Sequence, residues 1–319
     1  MTKNVPVEII TARIVPLGGP RAMSVWRTLP QKQRGTIGAW CFVDHYGPDH
    51  QRMDVPPHPH TGLQTVSWLF DGEITHHDSG GNHAVVVPGE LVMMTAGHGI
   101  CHSEVSTQST DILHGVQFWL VQPEATRNGE RRLDTYRPTP IERDGVRLTV
   151  FLGRLAGEAS PVVTDTPIVG AEIVLPPGKK LHMAVDASFE HGVLVDTGEI
   201  ELCGSAVKQY ELGYTGVGEE ELVLHNTEAE QARLILIGGQ PFQEEFVMYW
   251  NYIARNHAEI EQAHRQWSEH SQRFGVVHGY ISHDPHGITR LPGPAVPSVT
   301  IRPRKSAPPV ARPDMRTPS

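Results

Sequence analysis

A chain of 319 residues with a 39% hydrophobic fraction can bury two compact cores, so two domains are expected. The net charge of −9 is spread along the chain and not gathered in an acidic block, which argues for solubility and against a general affinity for nucleic acid or anionic membrane. No stretch approaches the roughly 20 apolar residues that span a bilayer. Cys41, Cys101 and Cys203 stand far apart with no C-x-x-C pair, and no signal-like apolar core follows Lys3, which together predict a cytoplasmic protein.

Along the chain, 31 glycines and 26 prolines punctuate short runs rich in Val, Ile, Leu, Thr and aromatics. Val85–Val87, Leu91–Thr95, Val116–Val121, Leu148–Leu152 and Arg233–Ile237 are such runs, and they predict an all-β barrel or sandwich. The polar stretch Glu124–Asp144, with Arg131, Arg132 and the Pro138/Pro140 pair, reads as a connection between a first domain, 1–140, and a second, 141–245. VSWLFDGEI at Val66–Ile74 and GVLVDTGEI at Gly192–Ile200 each close on a glycine turn, Gly72 or Gly198, which suggests duplication of one barrel. In the segment 246–275, Asn256–Arg273 is free of Gly and Pro and carries Ile260, Ala263 and Trp267 at helical spacing. Residues 276–319 are Pro-rich, with Arg302, Arg304, Lys305, Arg312 and Arg316 toward the end. Too few large apolar residues are present to offset chain entropy, so a disordered, solvated tail is expected ahead of a basic arm.

The chemistry concentrates between Pro56 and Glu104. His58 and His60 are two apart, so in an extended segment both imidazoles face one way. His102 and Glu104 repeat that spacing downstream. If the two strands oppose each other across a small barrel, four ligands converge inside it. Three imidazoles and one carboxylate suit a borderline first-row divalent ion, whereas calcium and magnesium want more oxygens. With an octahedral ion, two positions remain for substrate and dioxygen. A lone H-x-H among 19 histidines would be weak evidence; its partner H-x-E pair reverses that. By alternation Cys101 points away from the metal and packs as an apolar thiol. His76, His77 and His83 read as a turn-rich surface segment near the cavity mouth. Trp40, Phe42 and Trp119 are candidates for an aromatic pocket, with core packing the expectation for at least two of them.

Several segments together resemble the cupins, and the pirin family in particular. They are P-H-P-H at Pro57–His60, G-x-x-T-V at Gly62–Val66, P-G-E at Pro88–Glu90, T-A-G-x-G-I-x-H-x-E at Thr95–Glu104 and H-G-x-Q-x-W at His114–Trp119. The likeness continues through Gly239–Pro241 into the helix and covers about residues 10–275. It implies two consecutive jelly-roll-like cupin barrels with a C-terminal helix. It also implies His58, His60, His102 and Glu104 as ligands of one divalent metal, iron(II) first, with nickel, cobalt, manganese or copper as alternatives. The implied activity resembles that of quercetin 2,3-dioxygenases, opening a flavonol ring with dioxygen, with Glu104 as catalytic general base. The family's other implied role is an iron-binding regulator that touches a transcription factor or metabolic enzyme. Gln64 stands where the pattern usually has glutamate, and His98 where pirins often have arginine. Gln64 alters the charge around the ligands, and His98 reads as a loop histidine bonded to backbone. Aligning Gly72 with Gly198 sets Ala184 and Asp186 opposite His58 and His60, so no metal site is expected in the second barrel. His182, His191 and His225 read as ordinary histidines.

Overall fold

A computed structural model describes residues 5–17, 23–282, 287–303 and 307–313. Each half is built from a seven-stranded antiparallel sheet backed by a four-stranded one. In the first barrel the large sheet runs, from edge to edge, Arg132–Tyr136, Leu91–Thr95, Leu63–Asp71, Leu113–Val121, Trp40–Asp49, Ser24–Leu29 and Arg13–Pro16. The small sheet runs Asp54–His60, Ile100–Ser106, Ile74–Asp78 and His83–Val86. The second barrel pairs Glu8–Ile10, Leu212–Thr215, Glu190–Thr197, Ala232–Gly239, Ile168–Leu175, Val146–Leu152 and Ile141–Arg143 in its large sheet. Lys180–Ala184, Glu221–His225, Ile200–Leu202 and Ser205–Val207 form its small one.

The two large sheets pack face to face, and strand alternation explains how. In Ala232–Gly239, Ile235 and Ile237 join a core shared with Trp40, Trp68, Val116 and Phe118 of the first barrel. Leu234 and Leu236 turn instead into the second barrel's own core. Strands buried on both faces read as continuous apolar runs, which is why Leu113–Val121 carries so few polar residues. Several buried polar groups along this seam are paired across it. Trp40 Nε1 donates to the Gly238 carbonyl at 3.0 Å, and Trp68 Nε1 to Glu172 at 2.8 Å. Arg34, fully buried, binds Glu8 at 2.8 Å, lies 3.6 Å from Glu190 and stacks over the Tyr214 ring.

Two segments differ from their sequence expectation. Glu8–Ile10 falls within the stretch read as the first domain, yet it pairs with Leu212–Thr215 of the second barrel. Val7 and Ile9 enter that barrel's core while Glu8 turns to Arg34. Beyond 275, the described residues have no helix or strand, and many are exposed, but they are tied to the body at several points. Leu291 N donates to Pro57 O, Trp267 Nε1 to Leu291 O, and Val217 N to Pro309 O, and Ala311 is buried. Backbone hydrogen bonding does this work where side chains offer little apolar area. Of the basic residues in this segment, Arg304, Lys305 and Arg316 lie outside the described residues. The helix itself spans His257–Ser268, capped by Asn256 accepting from Glu259 N, and it buries Ile260, Ala263 and Trp267 as expected. It stops short of Arg273, and His270 takes a left-handed φ of 57° just beyond it.

The seam also holds His45 and His114 of the first barrel against Asp196 of the second. Asp196 Oδ1 accepts from both Nε2 atoms, at 2.5 and 2.6 Å, and Arg233 lies 3.3 Å from Oδ2. Burial pushes the Asp196 carboxyl up, but the hydrogen bonds from His114 and His45 outweigh it and hold the group at about 2, below its ordinary 3.8. A depressed folded pKa contributes stability that is complete above the unfolded value and lost as pH falls through the folded one. Asp196 therefore contributes on the order of 2 kcal/mol above about pH 4, lost toward pH 2. Urea unfolding measured from pH 7 to pH 2 should show Asp196→Asn destabilised at neutral pH, with a flatter acid slope than the parent. An unchanged slope would remove Asp196 from the acid response.

Candidate metal centre

The antiparallel pairing of Asp54–His60 with Ile100–Ser106 sets His102 across from His58 and Ile100 across from His60. The ligand-capable atoms of His58, His60 and His102 lie within 4.8 Å of one another, and all three residues are buried. His60 Nε2 and His102 Nε2 are 3.0 Å apart. Two nitrogens bound at about 2.1 Å to one ion, at right angles, stand about 3.0 Å apart, so this separation fits a shared metal.

The proton positions fit as well. His58 Nδ1 faces the Pro56 carbonyl at 2.9 Å, and His60 Nδ1 faces the Asn251 carbonyl at 3.2 Å. A carbonyl only accepts, so each Nδ1 carries the proton and each Nε2 presents a lone pair. Burial keeps the rings neutral: it brings His58 down to about 4, against a smaller opposing effect of the Pro56 carbonyl, and takes His60 and His102 well below the usual range. Neutral imidazole is the form a metal needs.

Glu104 stands two residues further on. A bulge between His102 and Glu104 sets it opposite Val55 and re-aims it toward Gln117, whose amide donates to both carboxylate oxygens at 3.0 and 3.1 Å. Burial raises its pKa, with His76 and the Gln117 and Ser67 hydrogen bonds working the other way. Glu104 and His102 form a second trio with His76, so His102 is common to both groups.

Sequence reasoning missed His76. It lies in the strand Ile74–Asp78, not on a surface turn, and is 2% exposed. Its Nδ1 is 3.3 Å from His102 Nδ1, and its Nε2 is 3.4 Å from Asp78 Oδ2. Asp78–His76–His102 is thus a carboxylate-backed chain that orients the His102 ring. The H-x-D spacing, two residues on one strand face, was the available signal. Cys101 packs away from the cluster against Tyr252 and Trp267, as alternation predicts. Gln64 is buried and donates to Thr95, so it is turned to the sheet and not to the ligands. His98 is exposed; it is its backbone, not its ring, that is bonded, to Gly129 and Arg273.

The cluster opens on a cleft of about 830 Å³. Phe42 and Trp119 are stacked at 4.1 Å along one wall, while Trp40 lies wholly in the core. Met248 and Trp250 add to the lining, from the hairpin Val247–Tyr249 and Tyr252–Ala254. Gly62, just after His60, has φ +67°, and a Cβ there would come within 2.4 Å of Ile253 O, so glycine admits this hairpin. Ile288, Leu291 and Pro292 complete the lining, from the segment read in sequence as a tail.

The sequence matches the Pirin family over residues 22–120 and the Pirin C-terminal cupin domain over 170–275. It is 38% identical to a putative quercetin 2,3-dioxygenase of Pseudomonas aeruginosa, over 84% of this chain and 86% of that one. The chain belongs to the pirin family. A pirin-like protein of Caulobacter vibrioides is 31% identical over 76% of this pirin and 87% of the relative. Among solved structures, a quercetin 2,3-dioxygenase from Acinetobacter baumannii superposes with a TM-score of 0.87 at 32% identity, covering 94% of this chain and 98% of its own. The two-cupin architecture expected from the sequence is therefore shown, with its single C-terminal helix among the described residues. No helix among the described residues is long and apolar enough to cross a membrane.

Truncation of this pirin after Gly275 should open the cleft. In metal-free protein, mass spectrometry should find His58 and His60 carbethoxylated by diethyl pyrocarbonate several-fold faster than in the full chain. Equal rates would mean that residues 288–294 do not shield them.

Proposed function

We propose that this pirin is a metal-dependent dioxygenase that opens the ring of a flavonol such as quercetin, with His58, His60, His102 and Glu104 holding one divalent ion. The observation that carries this reading is the convergence of three buried imidazoles, with Nε2 bare on His58 and His60, beside a hydrogen-bonded carboxylate at the base of an aromatic cleft. The similarity to proteins named as quercetin 2,3-dioxygenases supports it. Three imidazoles with one carboxylate favour a first-row ion, iron(II) foremost, with nickel, cobalt, manganese and copper as alternatives. When bound, such an ion supplies Lewis-acid activation of the substrate hydroxyl and a meeting point with dioxygen.

The chain's own residues do the rest. Glu104 accepts the flavonol hydroxyl proton, and its burial favours that role by raising its proton affinity. Gln117 grips both Glu104 oxygens and fixes their direction. The stacked Phe42–Trp119 pair gives a planar ring system an apolar wall. Leu291 and Pro292, anchored through the Leu291–Pro57 hydrogen bond, add apolar lining to the cleft. A volume of about 830 Å³ lies within the range of small-molecule sites. Three free cysteines accord with a cytoplasmic setting.

Oxygen uptake with quercetin, measured on anaerobically purified protein loaded in turn with iron, manganese, cobalt, nickel or copper, tests the reading. Uptake should require the ion and fall at least 100-fold in Glu104→Gln. In His58→Ala/His102→Ala, metal content should drop from one per chain to near zero. Absence of uptake in protein holding one ion per chain would overturn the dioxygenase reading in favour of a regulatory binding protein.

A further inference from the structure

The cleft that opens on the histidines is charged unevenly. Among the described residues that line it, Glu104 is the single acid, and it is bonded to Gln117 beside the candidate ligands. The two arginines of the lining, Arg13 and Arg27, stand on the last two strands of the large sheet, Arg13–Pro16 and Ser24–Leu29. Register puts them in line with the metal end. Gln117 lies across from Asp44, Asp44 across from Arg27, and Arg27 across from Arg13. Directly opposed residues share one face of a sheet, so the four form a rank from the partner of Glu104 to the sheet edge. With neighbouring strands about 4.8 Å apart, the backbone of Arg27 stands about 10 Å from that of Gln117. An aromatic rank runs alongside: Trp119 meets His60 edge-on, with ring centroids 5.2 Å apart, and lies across from Phe42. The guanidinium carbon of Arg27 is 4.2 Å over the Phe42 ring. A planar molecule that reaches the imidazoles along these rings therefore has its other end near Arg27.

Arg27 is held for a directional contact. Its Nε and Nη2 donate to the two Asp44 oxygens at 2.6 and 2.7 Å, a planar fork that fixes the direction of the guanidinium. Its side chain is 23% exposed, and Nη1 is left over from the fork. Arg13 is exposed, with Nη2 donating to the Pro30 carbonyl at 2.9 Å. One wholly buried carboxylate, Asp44, thus stands against two guanidinium groups, and this end of the cleft carries excess positive charge. A neutral ring system gains little from that charge, whereas a carboxylate or sulfonate matches the guanidinium in charge and geometry.

We infer, resting on the metal-centre reading above for where the enol sits, that the cleft selects planar aromatic enols with an anionic group remote from the enol, Arg27 and Arg13 supplying its counter-charge. Equilibrium binding to metal-loaded full-length protein, titrated anaerobically so that nothing turns over, tests this with quercetin and with quercetin sulfonated on its pendant ring. The sulfonate should bind about tenfold more tightly. That advantage should shrink several-fold between about 0.02 and about 0.5 M salt. Arg27→Met/Asp44→Asn removes the pair together and strands no buried charge, and it should bring the two affinities within about twofold. Arg13→Met, at an exposed position, should cut the advantage about threefold and serves if the double variant does not fold. Unchanged metal content in each variant shows that the centre is intact. Equal affinities in the parent would overturn the inference, as would an advantage indifferent to salt and to these substitutions. Admitting oxygen afterwards separates the two readings. No uptake beside a charge-dependent preference retires the dioxygenase and keeps the selectivity; uptake with equal affinities does the reverse.

Discussion

The antiparallel register of Asp54–His60 against Ile100–Ser106 fixes the positions of the three clustered imidazoles and, through one bulge, of the carboxylate beside them. A slip of one residue would send His58 and His60 to the opposite face, because side chains alternate with a period of two. The register is held from both sides. Ile100–Ser106 also pairs with Ile74–Asp78, which sets His76 opposite Glu104 and Asp78 opposite His102. The strand carrying two of the candidate ligands is therefore central in its sheet, and the groups that orient those ligands arrive on its neighbours. Preorganisation of this kind lowers the cost of gathering several donors around one ion.

The seam between the barrels gives that register its support. Leu113–Val121 shows the division of labour along one strand: Val116, Phe118 and Leu120 fill the shared core, whereas Gln117 and Trp119 line the cleft. Residues that position Glu104 and form the aromatic wall are thereby backed by packing against the second barrel. Ion pairs at the seam are buried, and breaking one by removing a single partner leaves an uncompensated charge. Arg34 answers this with two carboxylates and an aromatic face, and Asp196 with two imidazoles and an arginine. Such matched sets favour one relative placement of the two halves.

The fold class and the candidate ligands were legible because they rest on short-range patterns. H-x-H and H-x-E encode a common face directly, and Gly/Pro punctuation of β-branched runs marks strands. The Asn256 cap and the spacing of Ile260, Ala263 and Trp267 likewise sit within one segment. What stayed hidden depends on tertiary partners. His76 looks like a loop residue until its pairing with Glu104 is known, because HHDSGGNH contains both the end of a strand and a turn. Glu8–Ile10 is only three residues long, and its mate lies in the other half of the chain. Residues 288–294 have the composition of a solvated tail, and hydrogen bonds from Leu291 to Pro57 and from Trp267 to Leu291 place them along the cleft. Composition reports whether a segment can build a core of its own, not whether it can be laid against one already built.

A segment near each end of the chain reaches the half that it does not adjoin in sequence. Glu8–Ile10 is an edge strand of the second barrel, and Leu291 is tied to Pro57 in the first. During synthesis the opening strand must wait for a partner roughly 200 residues downstream, which at ordinary translation speeds emerges on the order of 10 to 40 s later. Pairing over such a separation is slow to nucleate. Meanwhile the first barrel's seam face, with Trp40, Trp68 and Phe118, has nothing to cover it. A first half made alone would leave that apolar face open to solvent. A single cupin moved elsewhere would carry the same uncovered face, although each has its own core.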